Sequence, residues 1–137
     1  MPSRKPLTDA DYQHLAEFRY LLRHFMTFSE NAARAAGLSP QHHQAILAVR
    51  SGGGCMTVGD LAERLSIKPH SAVGLADRLV EAGLVERRAG ASYRRRVELS
   101  LTSKANHKLA ALSRSHRNEL ERLVPSLMPL LKNLSKN

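Results

Sequence analysis

Ser66-Ile67-Lys68-Pro69-His70-Ser71-Ala72-Val73-Gly74-Leu75-Ala76-Asp77-Arg78-Leu79-Val80-Glu81-Ala82-Gly83 is the stretch whose reading decides the rest of the chain. Pro69 suits the first position of a helix, where its fixed φ matches the entry turn and its missing N–H would have had no partner. Gly83 ends that helix. Ala72, Leu75, Ala76 and Leu79 recur at three- and four-residue spacing and make one apolar stripe, which leaves His70, Ser71, Gly74, Asp77, Arg78 and Glu81 on the other side. This outer face is small near its start, so another surface can approach it closely.

Working outward, Thr57-Val58-Gly59-Asp60 has the form of a capping box with Asp60 in place of the usual Glu or Gln, followed by Leu61, Ala62 and Leu65 on one side. Two short helices therefore meet at the turn Ser66-Ile67-Lys68, with Ile67 placed to tuck between them and Ala62 small enough for a close crossing. This is a helix-turn-helix. Downstream, Leu84–Arg88 and Arg96–Leu101 read as strands, the second alternating with Val97, Leu99 and Leu101 on its inner face, and Ala89–Arg95 joins them as a loop containing Gly90. A hairpin with a basic tip directly after the second helix is the wing of a winged helix.

The chain has 137 residues and a formal net charge of +9, with a sequence pI near 10.4. Its length fits a single domain, and its charge calls for a polyanionic partner, either nucleic acid or an anionic membrane surface. The distribution separates the two. Arg87, Arg88, Arg94, Arg95 and Arg96 belong to the wing and not to a strongly amphipathic helix, so nucleic acid is the expected partner. No apolar run approaches the roughly 20 residues that span a bilayer, and residues 1–8 lack the apolar core of a signal peptide, so the expected location is the cytoplasm.

Cys55 is the only cysteine, which excludes an intrachain disulfide and a Cys-rich zinc site within one chain. The seven histidines include adjacent His42 and His43, but His107 and His116 lack the i, i+4 spacing that aims two rings at one ion, and no metal is expected. No basic residue adjoins Cys55 to activate its thiol. Neither a Gly-x-Ser-x-Gly elbow nor a phosphate loop is present, so no enzyme activity and no cofactor are expected.

Toward the N-terminus, Thr8 caps a long helix with Asp9 and Asp11 in its first turn. Tyr12, Leu15, Phe18, Leu22, Phe25, Met26 and Ser29 follow helical spacing, and the pattern continues through Ala32, Ala33 and Ala36 to Gly37. Five of the six aromatic residues lie on this helix, more than one buried face requires, which points to a partner helix. Ser39-Pro40 opens a second helix through Ala45, Ile46, Leu47 and Val49, stopped by Ser51-Gly52-Gly53-Gly54. After the wing, Thr102 caps a helix carrying Ala105, Leu109, Leu112, His116, Leu120 and Leu123. Pro125 is expected to break it, leaving Leu127, Met128, Leu130, Leu131 and Leu134 on a last short helix with Ser126 as cap. The apolar surface of both ends suggests a dimer.

In this order, Leu38-Ser39-Pro40-Gln41-His42, Leu61-Ala62-Glu63-Arg64-Leu65, Asp77-Arg78-Leu79 with Gly83-Leu84-Val85, and Arg94-Arg95 leading to Leu101-Thr102 resemble the MarR (multiple antibiotic resistance regulator) family of bacterial transcription factors over nearly the whole chain. The resemblance implies a mainly α fold with a small β-hairpin: a winged helix-turn-helix lobe over 39–101, with N- and C-terminal dimerisation helices over 8–36 and 102–135, together one domain over 1–137. It implies a homodimer whose recognition helices enter successive major grooves of a pseudo-palindromic operator, whose wings reach the adjacent minor grooves, and whose repression is relieved by a small ligand or oxidant. Family wings commonly carry Asp before the paired basic residues, where this chain has Tyr93. The recognition helix has Gly74 where many relatives have a longer polar or basic side chain.

The expected DNA-binding residues are Lys68, His70, Ser71, Val73, Gly74, Arg78, Arg94, Arg95 and Arg96. Lys68, His70 and Ser71 lie where side chains reach base edges, Val73 where a methyl contact with thymine is possible, and Arg78 where it binds phosphate or pairs with Asp77. Phe25, Phe28 and His43 are effector-pocket candidates on the resemblance alone. The competing reading is a winged-helix module that binds protein or RNA without sequence-specific DNA readout, its basic wing only steering association.

Overall fold

The computed structural model describes residues 5–89 and 97–135. Five helices and three strands follow in the order α1 (Asp9–Ala35), α2 (Pro40–Ser51), β1 (Cys55–Thr57), α3 (Val58–Leu65), α4 (Pro69–Glu81), β2 (Val85–Ala89), β3 (Val97–Leu101) and α5 (Ser103–Leu134). The chain divides into two compact units, residues 33–113 and residues 1–32 with 114–137.

The unit 33–113 contains the winged helix. Its core is formed by Ile46 and Val49 of α2, Leu61 of α3, Leu75 and Leu79 of α4 and Leu99 of β3, all fully buried. Burying each such side chain contributes about 1.5–3 kcal/mol. Capping fixes where the helices begin. Ser39 Oγ accepts the His42 amide at 3.0 Å, with Pro40 at the first position of α2, and Thr57 Oγ1 accepts the Asp60 amide at 3.1 Å. The turn after α3 closes when Ser66 takes a left-handed φ of 55° and the Ile67 amide donates to Ala62 O at 2.9 Å. Ala62, Ala72 and Ala76 are buried and small, which lets α3 and α4 cross closely.

Its sheet is antiparallel, in the order β1-β3-β2. The hairpin register pairs Val85 with Leu101, Arg87 with Leu99 and Ala89 with Val97, and β1 pairs Cys55 with Ser100 and Met56 with Leu99. Strand β2 starts one residue later than the sequence pattern indicates and takes in Ala89, which was expected in the loop; Arg96, the expected start of the second strand, lies outside the described residues, and β1 adds an edge strand that the sequence pattern did not indicate. Of the three residues expected on the inner face of β3, Leu99 is fully buried, but Val97 is 44% exposed because it lies at the far end of the hairpin, past the buried core.

In the other unit, α1 opens with a reciprocal capping box: the Asp11 amide donates to Thr8 Oγ1 at 3.2 Å and the Thr8 amide to Asp11 Oδ2 at 2.9 Å. Leu21, Leu123 and Leu130 are buried together, with Phe18, Phe25 and Leu127 packed against them. This apolar face corrects the sequence reading twice. Leu21, absent from the expected stripe, is central, whereas Leu22 is 45% exposed. Pro125 does not end the helix, since α5 runs unbroken through both Pro125 and Pro129. An interior proline costs about 3 kcal/mol. Both prolines are exposed, so the carbonyls they leave without a donor can turn to water, while Leu123, Leu127 and Leu130 on the other face each contribute a comparable stabilisation by packing.

Candidate nucleic-acid interface

Helix α4 presents two sides set by its own sequence. Ala72, Leu75, Ala76 and Leu79 are buried, and His70, Ser71, Val73, Asp77, Arg78 and Glu81 are exposed. Lys68 is the N-cap residue, with extended φ and ψ and no side-chain capping bond, so its ammonium extends from the entry of the helix. His70 and Ser71 occupy the exposed first turn, and Val73 is 52% exposed. Arg94, Arg95 and Arg96 lie outside the described residues.

Gly74 sits on the same outer face, and its missing side chain is used internally. A Cβ placed there would lie 3.4 Å from a terminal guanidinium nitrogen of Arg78. Side chains on a helix lean toward its N-terminus, so Arg78 folds back one turn over the glycine. There it also acts on His42 of α2, whose pKa is lowered first by burial and then by the Arg78 charge. Arg78 is therefore not the partner of Asp77 that the sequence suggested as one of two choices.

Asp77 pairs instead with Arg87 of β2. The hairpin register explains this. Arg87 stands opposite Leu99, whose side chain points into the core, so Arg87 occupies an inward position of the strand and reaches α4. Arg88, one residue on, points the other way and is two-thirds exposed, with Glu86 at 3.9 Å too distant and solvated to hold it. Sequence reasoning placed Arg87 and Arg88 in one basic wing; the alternation from Val85 through Arg87 to Ala89 is the signal that distinguishes them. His42 carried no such signal, because its neighbour Arg78 comes from another helix.

The effector candidates fall in different units. Phe25 and Phe28 set their rings edge-on to His116, at centroid distances of 5.8 and 5.5 Å, and His116 Nε2 lies 2.7 Å from Ser29 Oγ. His43 is buried in α2. A separate open groove of about 370 Å³ is lined by Leu47, Arg50, Asn106, Leu109, Ala110 and Ser113, and none of the three candidates lines it. Among the described residues, no group of three or more His, Cys, Asp or Glu could hold a metal ion, and no helix is long and apolar enough to cross a membrane.

Residues 36–96 match the model of the MarR family. No curated protein matches the chain by sequence. Among solved structures, a MarR family protein from Bacillus stearothermophilus is similar with a TM-score of 0.75 and 17% identity, over 96% of this chain and 95% of that one. AbsC, a MarR family transcriptional regulator from Streptomyces coelicolor, gives a TM-score of 0.69 and 19% identity over 98% and 100% of the two chains. NadR, solved in complex with 4-hydroxyphenylacetate, gives 0.67 and 25% identity over 98% and 94%. The family model thus covers the winged helix, and the fold is shared along most of the chain with these MarR regulators.

Proposed function

We propose that this protein is a sequence-specific DNA-binding repressor that binds a pseudo-palindromic operator as a homodimer and is released by a small molecule. The observation that carries the reading is the outer face of α4. It offers Lys68, His70, Ser71 and Val73 to a groove, in a chain of net charge +9. Arg94, Arg95 and Arg96 of the wing are assigned to phosphate or minor-groove contact on the sequence pattern.

Dimerisation is supported by two apolar stripes in the unit of residues 1–32 and 114–137. Leu15, Leu22 and Met26 of α1, and Leu120, Val124, Met128 and Leu131 of α5, are each 43–49% exposed. On each helix this stripe lies roughly a quarter turn from the side that packs in the unit's own core. Monomers rarely leave large apolar patches in water. A second copy covers it and links two recognition helices, as half-sites about one helical turn apart require. A phenolic or aryl-acid effector is suggested by NadR, which was solved with 4-hydroxyphenylacetate.

The test is selection from a random duplex pool followed by binding measurements over a range of salt. A two-fold symmetric consensus bound at least about 10³ times more tightly than random DNA supports the reading. Equal affinity for all duplexes, or preference for single-stranded RNA, overturns it.

A further inference from the structure

Two helices of the unit 33–113 end in the same way. After α1, Gly37 takes a φ of 78° and donates its amide to Arg34 O at 2.9 Å; after α4, Gly83 takes a φ of 71° and donates to Val80 O at 3.0 Å. A lysine of α5 lies across each glycine. Lys108 Nζ is 3.4 Å from where a Cβ on Gly37 would stand, and Lys104 Nζ and Cδ are 3.8 and 3.9 Å from the equivalent point on Gly83. Each ammonium donates to the carbonyl just before its glycine: Lys104 Nζ to Ala82 O at 2.8 Å, and Lys108 Nζ to Ala36 O. Thr102 adds a bond from Oγ1 to Gly83 O at 2.7 Å.

The chemistry matches the need at both ends. The last carbonyls of a helix have no intrahelical donor and carry partial negative charge, which a compact ammonium satisfies. Lys104 and Lys108 are one turn apart and share a face of α5, so a single helix face holds the last turns of both α1 and α4.

We infer that Lys104 is a positioning residue for DNA binding, fixing the recognition helix at its far end, while Lys108 holds the end of α1 in the same manner. The inference rests on the DNA-binding reading proposed above. From Ala82 back to His70 is 12 residues, 82 − 70, or roughly 18 Å of helix at 1.5 Å per residue. A rotation of only about 3° at Ala82 therefore displaces His70 by roughly 1 Å, twice the roughly 0.5 Å range over which a hydrogen bond to a base edge holds. The Lys104 ammonium is engaged with a backbone carbonyl, so its effect on DNA passes through the placement of α4 and not through a phosphate.

The experiment compares wild type with Lys104→Met, Lys108→Met and the corresponding Lys→Arg variants, since Met keeps the stem and Arg restores the cation. Binding is measured to a duplex selected from a random pool and to a random-sequence duplex across salt. Lys104→Met is expected to weaken binding to the selected duplex roughly two- to fivefold, the span of a helix-terminus charge, with random-DNA affinity and salt slope unchanged and with recovery in Lys104→Arg. Lys108→Met frees the end of α1 and not that of α4, so it is the control and is expected to leave discrimination between the duplexes unchanged. Equal losses on both duplexes with a slope shallower by about 0.9 per lysine mean a phosphate contact and overturn the inference. Amide exchange in the free protein gives a readout independent of DNA. Gly83 and Leu84 should exchange roughly two- to fivefold faster in Lys104→Met. Unchanged exchange overturns the inference even where wild type binds DNA, whereas a wild type that does not distinguish the duplexes counts against the DNA-binding reading alone.

Discussion

Arg87 of β2 donates to the carboxylate of Asp77 on α4, joining the hairpin to the middle of that helix. The side chains are 43% and 60% exposed, so solvent screens the pair and its contribution to stability belongs with exposed ion pairs. A double-mutant cycle of Asp77→Ala and Arg87→Ala, followed by urea unfolding, should return a coupling energy of about 0.2–1 kcal/mol. The functional effect should be larger in proportion, because Asp77→Ala frees Arg87 and removes a carboxylate from the outer face of α4. Its binding to random DNA should tighten while discrimination falls, and a cycle with no coupling would show that the wing is held without this pair.

Gly74 is a helix-interior glycine whose replacement by alanine meets only the flexible end of Arg78. Gly74→Ala should therefore stabilise the fold by about 0.5–1 kcal/mol through backbone entropy. If the glycine also lets a groove wall approach, operator affinity should fall in the same variant. Loss of stability would show that the Arg78 position over Gly74 matters to the fold more than the helix propensity does.

His70→Ala and Ser71→Ala should each change the preferred operator sequence, at about 1–3 kcal/mol for a good base contact. Both side chains are exposed in the first turn of α4, so neither change should alter thermal stability by more than about 0.5 kcal/mol. Parallel losses on specific and random duplexes would assign them to the backbone instead.

His42 is half-buried in α2, and burial followed by the Arg78 charge holds its pKa below 6.5. At a pH between its native and unfolded values the unfolded chain binds the proton and the native chain does not, so acidification favours unfolding. The stability associated with neutral His42 is complete above about pH 6.5 and is lost as pH falls through the depressed native value. His42→Gln should flatten the decline in urea midpoint between about pH 7.5 and pH 5.5. Identical declines in both proteins would rule His42 out as its source.

Wild type should sediment at twice the chain mass of 15.2 kDa. Leu22→Asp and Met128→Asp place a charge in the exposed stripes of α1 and α5, away from Leu21 and Leu130, and should give monomers of unchanged helical content. Should wild type itself be monomeric, the two-half-site mode of binding fails with it.

The winged helix was legible because its signals are local: Pro69 and Gly83 bracket α4, and Thr57 caps α3 through its own neighbour Asp60. What escaped depends on residues distant in sequence. Strand β1 has three residues, too few for an alternating pattern, and exists only because β3 offers an edge. Pro125 looked like a stop because the rule against interior proline is local, whereas the packing that overrides it pairs Leu123 and Leu130 with Leu21. Arg87 and Asp77 are separated by a helix end and a strand register, and Lys104 and Lys108 cap helices that precede them by up to 72 residues.

The strand order β1-β3-β2 places the last strand made at the centre of the sheet. Neither Cys55–Thr57 nor Val85–Ala89 has a hydrogen-bonding neighbour until Val97–Leu101 arrives between them. On the ribosome, the helix-turn-helix is therefore expected to emerge with two unpaired strand edges that pair once the central strand clears the exit tunnel. A nascent chain stalled before residue 101 should be readily cut by protease within residues 55–89, and one extended well beyond it should resist.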